Sequence, residues 1–173
     1  RECVNSHNSE LLGAYGNFVN RTLTFVHRYF DATIPAGTRD TEVGERIDAL
    51  FASAGDLIES GRCKAALDAI FEFVRYSNKY FDSKKPWETR QENPGDCEDT
   101  LYTCVQITAN LAILLEPFLP FSSAKIRTWL PLNKAWAPQD VPAGLKIPQP
   151  EILFERLEKT VVAEELARLR GEA

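Results

Sequence analysis

The sequence predicts an all-α fold, an antiparallel helical bundle, and three observations support this. Apolar residues recur at steps of three and four in six segments, as on the buried face of a helix. No segment shows the alternation of apolar and polar residues that is typical of a half-buried strand. The connections between the third, fourth and fifth segments are short, which favours antiparallel packing. A chain of 173 residues with 44% hydrophobic residues can bury a substantial core, so a single domain over 1–173 is expected.

The first two segments carry clear apolar stripes. The first helix is expected over 9–30, with an inward set formed by Leu12, Tyr15, Val19, Leu23, Val26 and Phe30. The second is expected to begin near Thr41, whose hydroxyl can cap the following amides, and to stop at Gly61. Its inward set is Ile47, Leu50, Phe51, Ala54, Leu57 and Ile58.

Prolines separate the later segments. The third helix is expected over 63–81, and a polar loop over 83–95, because the residue before Pro86 is disfavoured in a helical conformation. The fourth helix is expected over 96–115. After Pro117 and Pro120, a short fifth helix is expected with Ser122 or Ser123 as its cap.

The C-terminal third is rich in proline. An irregular strap is expected over 131–150, which contains Pro131, Pro138, Pro142, Pro148 and Pro150. Trp136, Leu145 and Ile147 are expected to pin this strap to the bundle. A C-terminal helix is expected over 151–170.

The first helix also has a polar stripe opposite its apolar one. Asn17, Arg21, Thr24 and Arg28 follow one another at steps of four, three and four. An amide and a guanidinium one turn apart present several directed hydrogen-bonding groups, which suits recognition of the edge of a base. Asn17 and Arg21 can equally be solvated helix residues, and the pattern alone does not decide between the two.

A basic turn follows the third helix. Residues 75–90 contain five cations and two carboxylates, in a chain whose net charge is −5. A tryptophan such as Trp87, displayed by a turn that Pro86 fixes, can stack on an unpaired base. The alternative is a tryptophan that closes one end of the bundle. Because the chain as a whole is acidic, contact with nucleic acid would have to be local and directed at bases.

Other chemistry has little support in the sequence. The four cysteines, Cys3, Cys63, Cys97 and Cys104, lack the spacing and histidine partners of a zinc site. Free thiols in a reducing compartment, the cytoplasm, are expected instead. There is no phosphate-binding loop, nucleophile elbow or metal-binding histidine pair, so neither a catalytic residue nor a cofactor is expected in this chain.

Membrane attachment is not expected either, since no apolar stretch is long enough to cross a bilayer and no signal peptide is present. The chain begins at Arg1 and contains no methionine. Both features indicate a piece of a longer protein.

Four stretches, in order along nearly the whole chain, resemble the C-terminal anticodon-binding domain of methionyl-tRNA synthetases. They are Gly16-Asn17-Phe18-Val19-Asn20-Arg21, then Asn78-Lys79-Tyr80 with Pro86-Trp87, then residues 114–126, and finally residues 136–154. Each stretch alone is a weak signal, whereas four in register are specific.

The resemblance implies that a helical bundle recognises the CAU anticodon in the anticodon loop of tRNA(Met). Carried onto this sequence, the recognition positions are Asn17, Arg21 and Trp87, with Pro86 before the tryptophan. The parent enzyme would join methionine to its tRNA with ATP and Mg²⁺, through a catalytic domain upstream of residue 1. No dimerising domain follows residue 170, so a monomer is expected. Nonspecific attraction of phosphates is expected from Arg28, Lys84, Lys85 and Arg90.

Two alternatives remain open. One is the anticodon-binding domain of another class I synthetase, which shares the bundle and lacks the combination of Asn17, Arg21 and Pro86-Trp87. The other is a helical protein-interaction module in which the turn around Trp87 anchors a partner.

Overall fold

A computed structural model describes residues 2–149, 167, 168 and 171, and side chains from Gly13 onward. Six helices follow one another in this part of the chain: α1 (Glu2–Tyr29), α2 (Thr41–Glu59), α3 (Cys63–Lys84), α4 (Pro86–Glu92), α5 (Pro94–Leu115) and α6 (Pro120–Trp129). The described residues contain no named strand and one isolated bridge, between Thr33 and Lys146. The predicted all-α bundle is therefore confirmed.

Helix α5 is the centre of the bundle. All of its residues from Thr103 to Leu115 are buried, and it packs against α1, α2, α3, α4 and α6. A helix covered on every side needs apolar residues on every side, which is why α5 lacks a clear polar stripe. The polar groups within it are bonded: the hydroxyl of Thr108, for example, donates to the carbonyl of Cys104 at 2.9 Å.

Helices α1 and α3 lie side by side and run in the same direction. Asn17 of α1 contacts Asn78 of α3, and Arg21 contacts Asp82, so the same offset of 61 residues holds one turn later. The intervening helix α2 packs against α3 and α5. This alignment brings the C-terminal half of α1 beside the end of α3, where the site described below is built.

The strap over 131–149 is held by two amide side chains of α5. Gln106 donates to the carbonyl of Val141 at 2.8 Å and accepts from its N–H at 2.6 Å. Asn110, one turn later, makes the same pair of bonds with Gln139, at 2.9 and 2.8 Å. Each amide offers one donor and one acceptor, as a neighbouring strand would. The strap is therefore fixed at Gln139 and Val141 by paired hydrogen bonds of the kind that join neighbouring strands.

Trp136 fastens the strap to α2. Its indole N–H donates to the carbonyl of Phe51 at 3.1 Å, and the two rings lie edge to face at 5.3 Å. Gly55 makes room for the indole, since a Cβ at this position would lie 3.0 Å from Nε1 of Trp136. Ile147 is buried and Leu145 packs against the core, in agreement with the predicted anchors.

Several predicted boundaries are wrong, and proline is the main reason. The expected loop over 83–95 is mostly helical, because Pro86 and Pro94 occupy the first turns of α4 and α5, where a missing N–H costs nothing. The chain bends at the residue before Pro86 instead: Lys85 takes φ 48°. Likewise, Pro120 opens α6, and neither Ser122 nor Ser123 is its cap. Ser123 is buried and donates to the carbonyl of Ala112 at 2.6 Å.

Smaller differences concern the ends of the first three helices and of the chain. Helix α1 begins at Glu2 and α3 continues to Lys84, beyond the predicted limits. Asp40, and not Thr41, caps α2, by accepting from the N–H of Val43 at 3.1 Å. The predicted C-terminal helix lies outside the described residues except for Ala167 and Arg168, which are helical. Arg168 donates to the carbonyls of Pro117 and Phe118.

Candidate nucleic-acid interface

The predicted polar stripe of α1 faces α3 at its edge. The amide of Asn17 donates to Oδ1 of Asn78 at 3.1 Å, and Nη2 of Arg21 donates to Oδ1 of Asp82 at 2.5 Å. Asn78 in turn donates to the carbonyl of Ala14 at 3.0 Å. Asn17 and Arg21 are thus oriented by two side chains of α3 that sequence reasoning did not select. The repeated spacing of four in both helices is the signal that could have found them.

The guanidinium of Arg21 also packs on an aromatic ring. Its Cζ lies 4.3 Å from the ring centroid of Phe81, and about a quarter of the side chain, 25%, remains exposed. The ion pair with Asp82, whose side chain is 60% exposed, contributes little to stability in water. Its effect is to fix the direction of the guanidinium, part of which remains exposed to solvent.

Trp87 also lies near the ring of Phe81. Its indole is 46% exposed, and its ring centroid is 6.3 Å from that of Phe81. Pro86 is buried at the first turn of α4, and its carbonyl accepts from Sγ of Cys97 at 3.6 Å. The turn is therefore anchored to α5 while the indole projects outward. Phe81 joins the guanidinium of Arg21 to the indole of Trp87 on one surface.

The four predicted cations lie in different surroundings. Arg28 and Arg90 both lie over the ring of Tyr29, with Cζ 5.1 and 4.2 Å from its centroid. The remaining two are Lys84, whose Nζ lies 5.6 Å from the ring of Tyr80, and Lys85, which is 3.9 Å from a carboxylate oxygen of Glu88. Lys84 is two residues after Asp82 and so points to the opposite side of α3.

A row of aromatic rings connects these groups. Phe25 lies 6.2 Å from Phe81 and 4.6 Å from Tyr29, centroid to centroid. Trp87, Phe81, Phe25 and Tyr29 thus form one continuous row along the seam of α1, α3 and α4. We call this row and its flanking cations, Arg21, Arg28 and Arg90, the aromatic seam. The geometry offers an exposed stacking surface, an oriented guanidinium and further positive charge along one seam.

The cysteine thiols nearest the site are buried and have a raised pKa, which makes them poor nucleophiles. Cys97 and Cys104 are buried, Cys63 is exposed, and all three are free. Burial raises the pKa of the Cys104 thiol, and Arg21 and Thr22 oppose this only weakly. Burial also raises the pKa of the Cys97 thiol, while a hydrogen bond with Thr89 and the charge of Arg90 act in the opposite direction. The described residues contain no group of three or more metal-ligating side chains, and none of the described helices is long and apolar enough to cross a membrane.

Comparisons with known proteins agree with this geometry. The family described as the anticodon binding domain of methionyl tRNA ligase matches residues 33–173. The methionine–tRNA ligase of Bacillus cereus (strain G9842) is 47% identical over 175 residues, which cover 100% of this chain and 32% of the relative. That of Bacillus mycoides (strain KBAB4) is 49% identical over 173 residues, covering 99% and 31%. The chain therefore spans about a third of the length of these curated relatives.

Solved structures share the fold. The free-state methionyl-tRNA synthetase of Mycobacterium tuberculosis superposes with a TM-score of 0.78, at 22% identity, over 87% of this chain and 33% of that one. Its complex with methionyl-adenylate gives a TM-score of 0.74 at 23% identity, over 83% and 31%. At this identity the likeness establishes the arrangement of helices.

Proposed function

Because the chain belongs to the family of the anticodon binding domain of methionyl tRNA ligase, we propose that it recognises the CAU anticodon of tRNA(Met) through Asn17, Arg21 and Trp87. Membership confirms the resemblance drawn from the sequence and decides against a domain of another class I synthetase. One observation carries the assignment of residues: Arg21 and the exposed Trp87 share the ring of Phe81, at 4.3 and 6.3 Å.

In the proposed mechanism the first anticodon base, a cytosine, leaves the loop stack and lies on the indole of Trp87. Stacking of a base on an aromatic side chain contributes about 1–3 kcal/mol and accepts any base. The choice of base therefore rests on polar groups. Arg21 supplies donors for the acceptors of the cytosine edge, and the amide of Asn17, which both donates and accepts, can bond its exocyclic amine.

What lies outside this chain in the longer protein is inferred only from its relatives. We place this chain in a longer methionine–tRNA ligase that uses ATP and Mg²⁺, with the catalytic domain in the same polypeptide and upstream of residue 1. In that enzyme the chain contributes tRNA binding and no catalytic or cofactor-binding residue. A monomer in the cytoplasm remains the expectation.

The test compares anticodons on the longer ligase, with tRNA(Met) transcripts that carry CAU or altered anticodons. Trp87→Ala should weaken binding of every transcript by about 1–3 kcal/mol, because the stack is lost whatever the base. Arg21→Ala should mainly reduce the preference for CAU, because the polar readout is lost. Both effects are measured as kcat/KM for aminoacylation and as Kd for tRNA.

Phe121→Ala is the matched control, since Phe121 is an equally exposed aromatic (49%) on α6, away from the aromatic seam. It should leave both quantities unchanged. An Arg21→Ala enzyme that keeps the full preference for CAU would defeat the assignment. If the ligase shows no salt-sensitive binding of the anticodon stem-loop at low salt, the protein-interaction module becomes the better account.

A further inference from the structure

Tyr29 carries two guanidinium groups. Arg28, its neighbour on α1, places Cζ 5.1 Å from the ring centroid, and Arg90 reaches the same ring from α4 at 4.2 Å. Each contact alone is a favourable cation–π interaction. Because both cations contact one ring, however, their like charges repel each other. An anion bound by both would reduce that repulsion.

Neither guanidinium has a carboxylate partner among the residues that the structure describes. Four other arginines in this part of the chain, Arg21, Arg39, Arg46 and Arg127, each form an ion pair. Moreover, Nε of Arg90 is buried without a hydrogen-bond acceptor there. This Nε is enclosed, so the terminal nitrogens of Arg28 and Arg90 are the donors that an anion from solvent would meet.

The position of this acceptor site relative to Trp87 is fixed by α4. Arg90 follows Trp87 by three residues, so the two side chains leave the helix on the same side, nearly one turn apart. On the bundle side, Phe25 and Phe81 link Tyr29 to the indole through ring contacts of 4.6, 6.2 and 6.3 Å. Phe25 and Phe81 are themselves buried, so a ligand that stacks on Trp87 would reach Arg90 along α4 and not over these two rings.

We propose that Arg28 and Arg90, held on the ring of Tyr29, clamp one phosphate of the RNA backbone beside the nucleotide that stacks on Trp87. The inference rests on the proposed function and deepens it. A phosphodiester has two unesterified oxygens, and guanidinium groups bind such a pair through parallel charge-assisted hydrogen bonds. The clamp contributes affinity and register and does not distinguish bases. Lys84 and Lys85 do not share an aromatic ring in this way, so the clamp is assigned to Arg28 and Arg90 alone.

The first experiment measures salt dependence on the longer ligase with an anticodon stem-loop RNA. Arg90→Gln and Arg28→Gln should each raise Kd about tenfold at low salt, equally for CAU and altered anticodons. Each should also lower the slope of log Kd against log salt by about 0.7, the value for one single-stranded phosphate contact. Arg62→Gln, at an exposed site in the turn before α3, is the control and should change neither. Tyr29→Leu, which removes the ring that holds both guanidinium groups, should weaken binding.

The second experiment locates the phosphate and separates RNA from a free anion as its source. Single methylphosphonate groups, which carry no charge, replace the loop phosphates one at a time. One position next to the first anticodon nucleotide should weaken binding to the unmodified protein about tenfold and leave Arg90→Gln unaffected. No sensitive position would mean that a free anion fills the site, which overturns the proposal, and so would equal sensitivity in Arg90→Gln.

The two proposals fail in different ways. If Trp87→Ala and changes of the anticodon have no effect, the proposed function itself is wrong. If these effects hold while both glutamine variants keep the original salt slope, only the clamp is wrong. Arg28 is exposed, so Arg28→Gln keeps the test valid even if Arg90→Gln, whose side chain is partly buried, disturbs folding. Circular dichroism of each variant checks this.

Discussion

At the scale of single residues, Arg21 is constrained from two directions. Asp82 accepts from its guanidinium at 2.5 Å, and the ring of Phe81 lies beneath it at 4.3 Å. A guanidinium held in this way loses little further side-chain entropy when a base binds, and entropy lost on binding is a main cost of recognition. Asp82 therefore acts through Arg21, as a positioning residue.

We expect Asp82→Asn to reduce the preference for CAU severalfold while folding stability changes by no more than about 1 kcal/mol. The exposed ion pair contributes little to stability, but its loss frees the guanidinium to rotate. The measurement is the ratio of kcat/KM for CAU and altered anticodons, together with urea denaturation. Asp140→Asn is the matched control, because the Arg39–Asp140 pair has a similar exposure, 31% and 61% against 25% and 60%. A loss of preference in Asp140→Asn as well would show that the effect is not local.

At the scale of elements, the strap is the part whose order depends most on single bonds. Gln106 bonds both backbone groups of Val141 inside the protein, at 2.8 and 2.6 Å. Without the amide, a buried carbonyl and a buried N–H would both lack partners, and each such loss costs about 1–3 kcal/mol. The position of the strap at Val141 thus depends on the side chain of Gln106.

Gln106→Met, which keeps the volume and removes both bonds, should destabilise the domain by about 2 kcal/mol or more. The free energy of unfolding from urea titration gives the value. Gln91→Met, at an exposed position of α4, should differ from the unmodified protein by less than about 0.5 kcal/mol. Equal stabilities of the two variants would contradict the role given to the paired hydrogen bonds of Gln106 with Val141.

The elements also show what the sequence can and cannot reveal. Helices with one apolar face, such as α2 and α3, follow from their periodicity. The buried polar residues Gln106 and Asn110 could not be assigned, because their partners are backbone groups about 30 residues later in the chain. Pro86 and Pro94 were taken as marks of a loop, although proline suits the first turn of a helix equally well. Trp87 and Arg21 could be proposed, whereas Asp82, Phe81 and Tyr29 required the packing of α1 on α3.

At the scale of the molecule, the groups proposed for recognition lie at the edge of the core. Helix α5 and the residues around it form one hydrophobic core, which includes Phe25 and Phe81 of the aromatic seam. Trp87 and Arg28 of the seam are exposed, and Arg21 and Arg90 are partly exposed. The chain is acidic, with a net charge of −5, so under the proposed function RNA would be attracted to the local cations and not to the surface as a whole.

A cavity in α5 should therefore lower the stability of the whole domain. Leu111 is fully buried, and Leu111→Ala should cost about 2–5 kcal/mol, a large share of the usual stability of a domain. Circular dichroism and tryptophan fluorescence should report coincident urea transitions at a lower midpoint. The partly buried Leu67 serves for comparison, and Leu67→Ala should cost less. Two separate transitions would show that the chain folds as more than one unit.

The pair of reciprocal amide bonds also limits how the strap can change in length. Three of its prolines stand at 138, 142 and 148, each directly beside a residue whose N–H is in use, namely Gln139, Val141 and Ile147. An insertion of one residue just before Pro138 would move that ring onto the amide of Asn110. A deletion there would instead bring Pro142 onto the amide of Gln106. The bonds at Gln139 and Val141 therefore fix the number of residues between these two points.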